Sequence, residues 1–347
     1  MLTKDFDFLL PEKLIAQYPA EKREGSRLLV LGKEDGEVTH GSFTDITKYI
    51  KEGDVVVFND TRVFSARLIG KKRTGGAAEV LLVRKTNDDK WLCMAKPLKS
   101  LKEGVEVLFG DDGELSATFT GSIDEFGLSE VTLKAKADDD NIEKLIDTLG
   151  HIPLPPYIKR EAEEADKERY QTSFANVRGA IAAPTAGLHF TERIIEEIRA
   201  KGASVEFITL HTGPATFLPV KVEHTEDHKM SPEVFTVPGE VIETVIAAKK
   251  VGRKVFAVGS TVVRTLETVF KDGTPKGDQS GESALFITPG FEFKAISAMI
   301  TNFHLPKSTL VMMVAAFAGR SSILNAYKEA VKEGYNFFSY GDCMLII

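Results

Sequence analysis

Apolar and polar positions follow two different rhythms along this chain. Up to residue 62, and again beyond 150, short apolar runs alternate with stretches of helical period. Residues 28–31 and 55–58 read as strands, with short helices around Leu14 and over 45–50. Ile194, Ile195 and Ile198 share one face of a helix that Thr191 caps, Glu192 suits in its first turn and Gly202 ends. A buried strand is expected next, over 205–210. Further helices are predicted over 141–149, 240–250 and 326–332, with an apolar one after Thr309. Further strands are predicted over 255–258, 284–287 and 298–300, with a closing strand within 336–347. Residues 161–169 read as a solvated charged helix, 223–238 as polar and irregular, and 271–283 as a mobile loop.

From 64 to 136 the period drops to two. Six short alternating runs, from SARLIG to LSEVTLKA, are punctuated by Gly, Asp and Asn. They predict a small antiparallel β-barrel. Helix and strand alternate again afterwards, so the barrel reads as an insertion. The expected organisation is α/β. A larger, barrel-like unit made of residues 1–62 and 151–347 is interrupted by a barrel domain over 63–150.

Composition narrows the class. The 347 residues are 43% hydrophobic and carry a net charge of -7, which argues against a nucleic-acid binder held by overall charge. Arg62, Arg67, Lys71, Lys72 and Arg73, with Arg84 and Lys85 behind them, form a local basic stretch suited to a phosphate backbone; the plainer reading is protection of edge strands. Two distant cysteines, Cys93 and Cys343, argue against a disulfide framework and point to a reducing, cytoplasmic setting. No apolar run reaches the ~20 residues of a membrane span.

Several strand ends carry the same mixture of Asn, Asp, Thr, Ser, His, Arg and Gly. Residues 59–62, 184–191, 209–213, 259–261 and 301–309 are the main ones. Ligands of α/β folds bind beyond strand carboxyl ends. No P-loop, GxGxxG, GxSxG or HExxH is present, and His224 and His228 make a poor zinc pair. What is left is metal-free acid–base chemistry on a polar substrate. His189, His211 and His304 are candidate proton carriers, with Asp60, Glu267 and Asp342 as carboxylate partners. Phe190, Phe217 and Phe303 adjoin them and could face a base or a cation, or be plain core.

The blocks GDVVVFNDTRVFSARLIG, HIPLPPYIKR, AAPTAGLHFTE, TLHTGPATFLPV, VGSTVVRTLE, TNFHLPKSTLVMMVAAFAG and FFSYGDCMLI closely resemble the S-adenosylmethionine:tRNA ribosyltransferase-isomerases of queuosine biosynthesis. The resemblance spans nearly the whole chain and implies an α/β domain with an inserted β-barrel. It implies transfer and isomerisation of the ribosyl group of S-adenosylmethionine onto an aminomethyl-deazaguanine base at the tRNA wobble position. Epoxyqueuosine would form, with release of adenine and methionine. S-adenosylmethionine would be a consumed substrate, with no cofactor or metal, and the chain is expected to act as a monomer. The sequence departs from the family's usual wording at Ala215 and Ser231, where glycine and histidine are common.

With that resemblance, His189, His211, His304, Asp60 and Asp342 are assigned to catalysis. Substrate contacts are assigned to Arg62, to Thr185, Gly187, Phe190 and Thr191, and to Thr212. They extend to Thr261, Arg264 and Glu267, and to Asn302, Ser308 and Thr309. Lys71, Lys72 and Arg73 are assigned to RNA. The alternatives are an S-adenosylmethionine-dependent RNA methyltransferase and a non-catalytic RNA-binding protein.

Overall fold

The computed structural model describes residues 1–121, 123–137, 141–214 and 220–347. Its first strands are β1 (Arg27–Leu31), β2 (Val38–Ser42), β3 (Val55–Asn59) and β4 (Thr61–Val63). Next come β5 (Arg67–Lys72), β6 (Ala77–Lys85), β7 (Lys90–Lys96), β8 (Glu106–Phe109), β9 (Leu115–Phe119), β10 (Ser129–Ala135) and helix α1 (Ile142–Leu149). Then follow α2 (Asp166–Arg169), β11 (Val177–Ala180), α3 (Glu192–Ala200), β12 (Ser204–Leu210), β13 (Glu233–Val237) and α4 (Gly239–Lys250). The chain ends with β14 (Val255–Val258), α5 (Ser260–Val269), β15 (Gln279–Ser283), β16 (Ala298–Asn302), α6 (Thr309–Ala318), α7 (Arg320–Lys332) and β17 (Cys343–Ile346).

The six alternating runs become β5 to β10 and close into an antiparallel barrel, in the order β10-β7-β6-β5-β8-β9. Every second residue points inward. Leu68, Val80, Leu82, Trp91, Val107, Phe109, Phe119 and Val131 fill the interior. Closure removes the edges, so the basic residues of β5 and its turn are not edge guards.

Nine other strands form one mixed sheet, ordered β15-β13-β12-β3-β14-β16-β17-β1-β2. The sheet stays open, ending at β15 and β2. Four neighbours, β12, β3, β14 and β16, run parallel. The two apolar faces of β3, β14 and β16 are both covered, which is why these strands read as continuous apolar runs. Val55, Val57, Val255, Ala257 and Met299 pack with α4, α5 and α6. Val56, Phe58, Phe256, Val258 and Ile300 pack with α3 on the other side. No single helix among the described residues is long and apolar enough to cross a membrane, and α6 and α7 meet at 116°.

Some local expectations fail for identifiable reasons. The strand expected over 284–287 lies at β15, whose polar residues are chosen by backbone pairing with β13. That pairing also gives the irregular segment 223–238 its strand. β12 is half-buried because it lies near the sheet's margin. The charged stretch 161–169 is helical only at α2, and Asp166 is buried there. Two nitrogens of Arg160, at 2.6 and 2.8 Å, and the Tyr340 hydroxyl, at 2.8 Å, donate to it. The closing strand is only β17; residues before it form a turn.

Candidate active site

The parallel strands point their carboxyl ends to one side of the sheet. β17 runs antiparallel to β16, and β1 runs parallel to β17. The amino ends of those two strands therefore lie on the same side. This topology gathers Asn59 to Thr61, Leu210 to Gly213, Gly259 to Thr261, Asn302 to His304, Ser26 and Asp342. Asn59 ties the group together from its buried position. Its Nδ2 donates to the Leu210 carbonyl at 3.0 Å and to Thr261 Oγ1 at 3.2 Å, and its Oδ1 accepts from the Leu210 and Thr61 amides. Gly259, at φ +91°, turns β14 directly into α5, a conformation that favours glycine.

Two openings lie here. A slot of about 70 Å³ is bordered by Tyr157, Ala182 to Ala186, Thr212, Gly259 to Thr261, Asn302, His304, Ser308 and Phe338. That is well short of the ~300 Å³ at the low end for small-molecule pockets, so seating a nucleoside requires the walls to part. Tyr157 stacks on Phe338 with centroids 4.2 Å apart, and its hydroxyl lies 2.6 Å from Ser339 Oγ. Phe338 has φ +76°, a strained backbone of the kind that collects at functional sites. Thr212 Oγ1 and Asn302 Oδ1 are buried in this region without a hydrogen-bond partner among the described residues. The second opening is a cleft of about 410 Å³ between the barrel and the sheet. Phe64, Arg84, Lys85, Trp91, Phe126 and Arg178 border it, facing His211 and Glu233. Consecutive residues, His211 and Thr212, thus border the two openings.

The three histidines have different settings. His304 borders the slot; its Nε2 lies 2.9 Å from Thr301 Oγ1, and burial pushes its pKa down to about 3. His211 has Nδ1 2.8 Å from Thr61 Oγ1. Burial lowers its pKa, and the nearby Asp60 opposes that shift. Its ring lies against Gly179, where a Cβ would come within 2.6 Å of the imidazole. His189 is outside the slot's border. It sits behind Asn302, with Nδ1 2.9 Å from Ser26 Oγ and Nε2 3.3 Å from Asn302 Nδ2, and burial lowers its pKa to about 4.

Of the sequence-assigned contacts, Thr185, Thr212, Thr261, Asn302 and Ser308 border the slot, while Arg264 and Thr309 border a small adjoining cavity. The others lie elsewhere. Asp342 spends its two carboxylate oxygens on the Arg27 and Asn336 amides, each at 2.7 Å, and burial raises its pKa. Glu267 accepts from the amides of Lys294, Ala295 and Ile296, and burial raises its pKa too. Asp60 accepts from Thr209 Oγ1 at 2.6 Å. Thr191 caps α3 and donates to Glu24, and Gly187 packs against Thr172 and Phe174. Phe190 is wholly buried between Phe43 and Phe58, and Phe303 between Tyr327, Tyr335 and Phe337. Arg62 is exposed on β4. Lys71, Lys72 and Arg73 lie at the turn between β5 and β6, the opposite end of that hairpin from Arg84 and Lys85. Ala215 and Phe217 lie outside the described residues.

Tyr157, Ser339, Phe338 and Glu233 were not singled out as site residues by sequence reasoning, whereas Asn59 and Thr61 fall in the candidate strand end 59–62. HIPLPPY reads as a connector, and only the fold brings it onto residues 338–339.

An open α/β sheet with polar side chains converging at its strand ends, and a barrel set against that end, defines an enzyme with its site at the junction. The chain belongs to the queuosine biosynthesis protein family, whose description matches residues 3–346. It is similar to the S-adenosylmethionine tRNA ribosyltransferase of Thermotoga maritima, with 35% identity over 99% of this chain and 100% of that one and a TM-score of 0.57.

Proposed function

We propose that this enzyme transfers the ribosyl group of S-adenosylmethionine to the aminomethyl-deazaguanine base at the tRNA wobble position. The group isomerises to the epoxycyclopentane of epoxyqueuosine, and adenine and methionine are released. The observation that carries this reading is the family match along the chain, joined to two openings bordered by the consecutive residues His211 and Thr212. The enzyme acts as a monomer in this reading. S-adenosylmethionine is a consumed substrate, and no cofactor is needed.

In this reading the slot takes the nucleoside and the cleft takes the RNA base. Asn302 Oδ1 and Thr212 Oγ1 offer hydrogen-bonding atoms to the nucleoside. Phe64 and Phe126 offer aromatic surface to the base, and Arg84, Lys85 and Arg178 bring cations to the cleft mouth. The reaction needs a base for the proton beside the sulfonium, whose charge acidifies that carbon. His211 suits it better than His304, because Asp60 partly offsets the effect of burial. The Thr61 hydroxyl also reaches the Val177 carbonyl at 3.5 Å. Donating there, it accepts from Nδ1–H of His211 and leaves the Nε2 lone pair free.

The test follows adenine and methionine with an anticodon stem-loop carrying the aminomethyl-deazaguanine base. Equimolar release that depends on that base is expected. Methylated RNA with S-adenosylhomocysteine would make the enzyme a methyltransferase. Tight RNA binding without turnover would make it a non-catalytic binder.

A further inference from the structure

Arg264 is a buried guanidinium with donors to spare. It lies one turn into α5, three residues after Thr261 at the slot, and is 5% exposed. Its Nη2 donates to Glu233 Oε2, and the other Glu233 oxygen accepts from the Gly213 amide at 2.8 Å. Nε and Nη1 are buried and have no acceptor among the described residues. Buried donors are otherwise almost always paired.

Those donors adjoin a cavity of about 20 Å³ that Met230, Ile287, Leu310 and Met313 border together with Glu233, and that has to widen with the slot to take more than a water. Leu310 also borders the slot, and Glu233 also borders the cleft, so this cavity adjoins both. Glu233 already balances the charge of Arg264. A lone anion added here would leave excess negative charge, whereas a zwitterion would not. A carboxylate that carries its own ammonium group on a short apolar stem meets both the free donors and the charge balance.

We propose that this cavity holds the amino-acid end of S-adenosylmethionine. Arg264 Nε and Nη1 bind the α-carboxylate, Glu233 faces the α-ammonium, and Met230, Ile287 and Met313 surround the methylene stem. The proposal rests on S-adenosylmethionine being the substrate.

Calorimetry on the full chain without RNA tests it, using S-adenosylmethionine and its decarboxylated analogue, which keeps the amine. The analogue should bind on the order of tenfold to a hundredfold more weakly, the range for hydrogen bonds to a charged group. Arg264→Lys keeps a charge beside Glu233 but loses the forked donors, and should bring the two ligands close to parity. The ligand comparison uses the unaltered protein, so it does not depend on the variant folding. Equal binding of both ligands by an enzyme that releases adenine would overturn the Arg264 site alone. Absence of both S-adenosylmethionine binding and adenine release would overturn the parent reading with it. Weakened RNA binding in Arg264→Lys with the ligand ratio intact would assign the guanidinium to a phosphate and also overturn the proposal.

Discussion

His189 and Asn302 act as one unit: the imidazole Nε2 lies 3.3 Å from Asn302 Nδ2, which also donates to the Phe338 carbonyl at 3.0 Å. With its amide nitrogen engaged on both sides, Asn302 has its Oδ1 left without a donor among the described residues. His189 is thus a positioning residue for a slot contact. We expect His189→Ala and Asn302→Ala each to raise KM for S-adenosylmethionine about tenfold, the scale of one lost hydrogen bond. The double variant should be little worse than either single one, because both changes disable the same contact. Steady-state adenine release on the four proteins checks this; full additivity would give the histidine a separate role.

The same burial makes stability depend on pH. His189 titrates at about 4 and His304 at about 3 in the folded chain, against 6.5 for the free side chain. As pH falls, the unfolded chain takes up these protons first. The stabilising contribution is therefore complete above pH 6.5 and is lost as pH falls toward the folded values. For His189 alone the loss is roughly 3 kcal/mol. We expect Tm to fall between pH 6.5 and 4, and the fall to be shallower in His189→Asn. Calorimetric scans across that range measure both.

Sequence patterning carried the barrel and the central strands well, because period-two alternation and apolar runs are local signals. The strand ends were legible for the same reason: Asn302, Thr212 and Thr261 stand where apolar runs stop. Their roles were not legible. Asp342 and Glu267 look like carboxylate partners of the histidines in sequence, but backbone amides of other segments occupy their oxygens. Phe338 and Tyr157 are 181 positions apart, and only the fold stacks them. Glu233 lies in a stretch with little pattern because its strand is set by pairing with β15. Glu267→Ala should accordingly lower stability by about 2–4 kcal/mol, since the buried amides of Ala295 and Ile296 and the partly buried amide of Lys294 lose their acceptor, while kcat stays within twofold. Urea unfolding alongside turnover separates the two effects.

Gly179 gives a sharper test of His211. A Cβ there would lie 2.6 Å from the His211 Cε1 and 2.7 Å from Nδ1. The imidazole would have to shift, which disturbs its contact with Thr61 Oγ1. We expect Gly179→Ala to lower kcat at least a hundredfold, because small misplacements of a reacting group cost that much. S-adenosylmethionine affinity should change little, since the glycine borders the cleft and not the slot. Single-turnover adenine release together with calorimetric binding decides it; an unchanged rate would remove His211 from the chemistry.

The cations of the cleft are held by carboxylates, which an RNA following the cleft would have to displace. Lys85 lies 3.4 Å from Glu143, and Arg178 lies 2.7 Å from Asp147 and 3.6 Å from Glu143. These pairs are partly exposed, so they are weak and easily exchanged for phosphate. Glu143 engages two of the cations at once. We expect Glu143→Gln to tighten tRNA binding, with Arg178→Gln and Arg84→Gln weakening it. Each cation lost from a phosphate contact should flatten the slope of log K against log salt by about 0.7–0.9. Lys71 sits at the far turn, four residues along β5 from Arg67, or roughly 13 Å at the usual rise of a strand. Arg73 at that turn is already paired with Glu106 at 2.6 Å. If the RNA follows the cleft, Lys71→Gln changes affinity less than Arg178→Gln does. If it instead runs over the barrel's outer turn, the order reverses and Glu143→Gln leaves binding unchanged. Salt titrations of the same stem-loop with the four variants therefore fix the path of the RNA across the barrel.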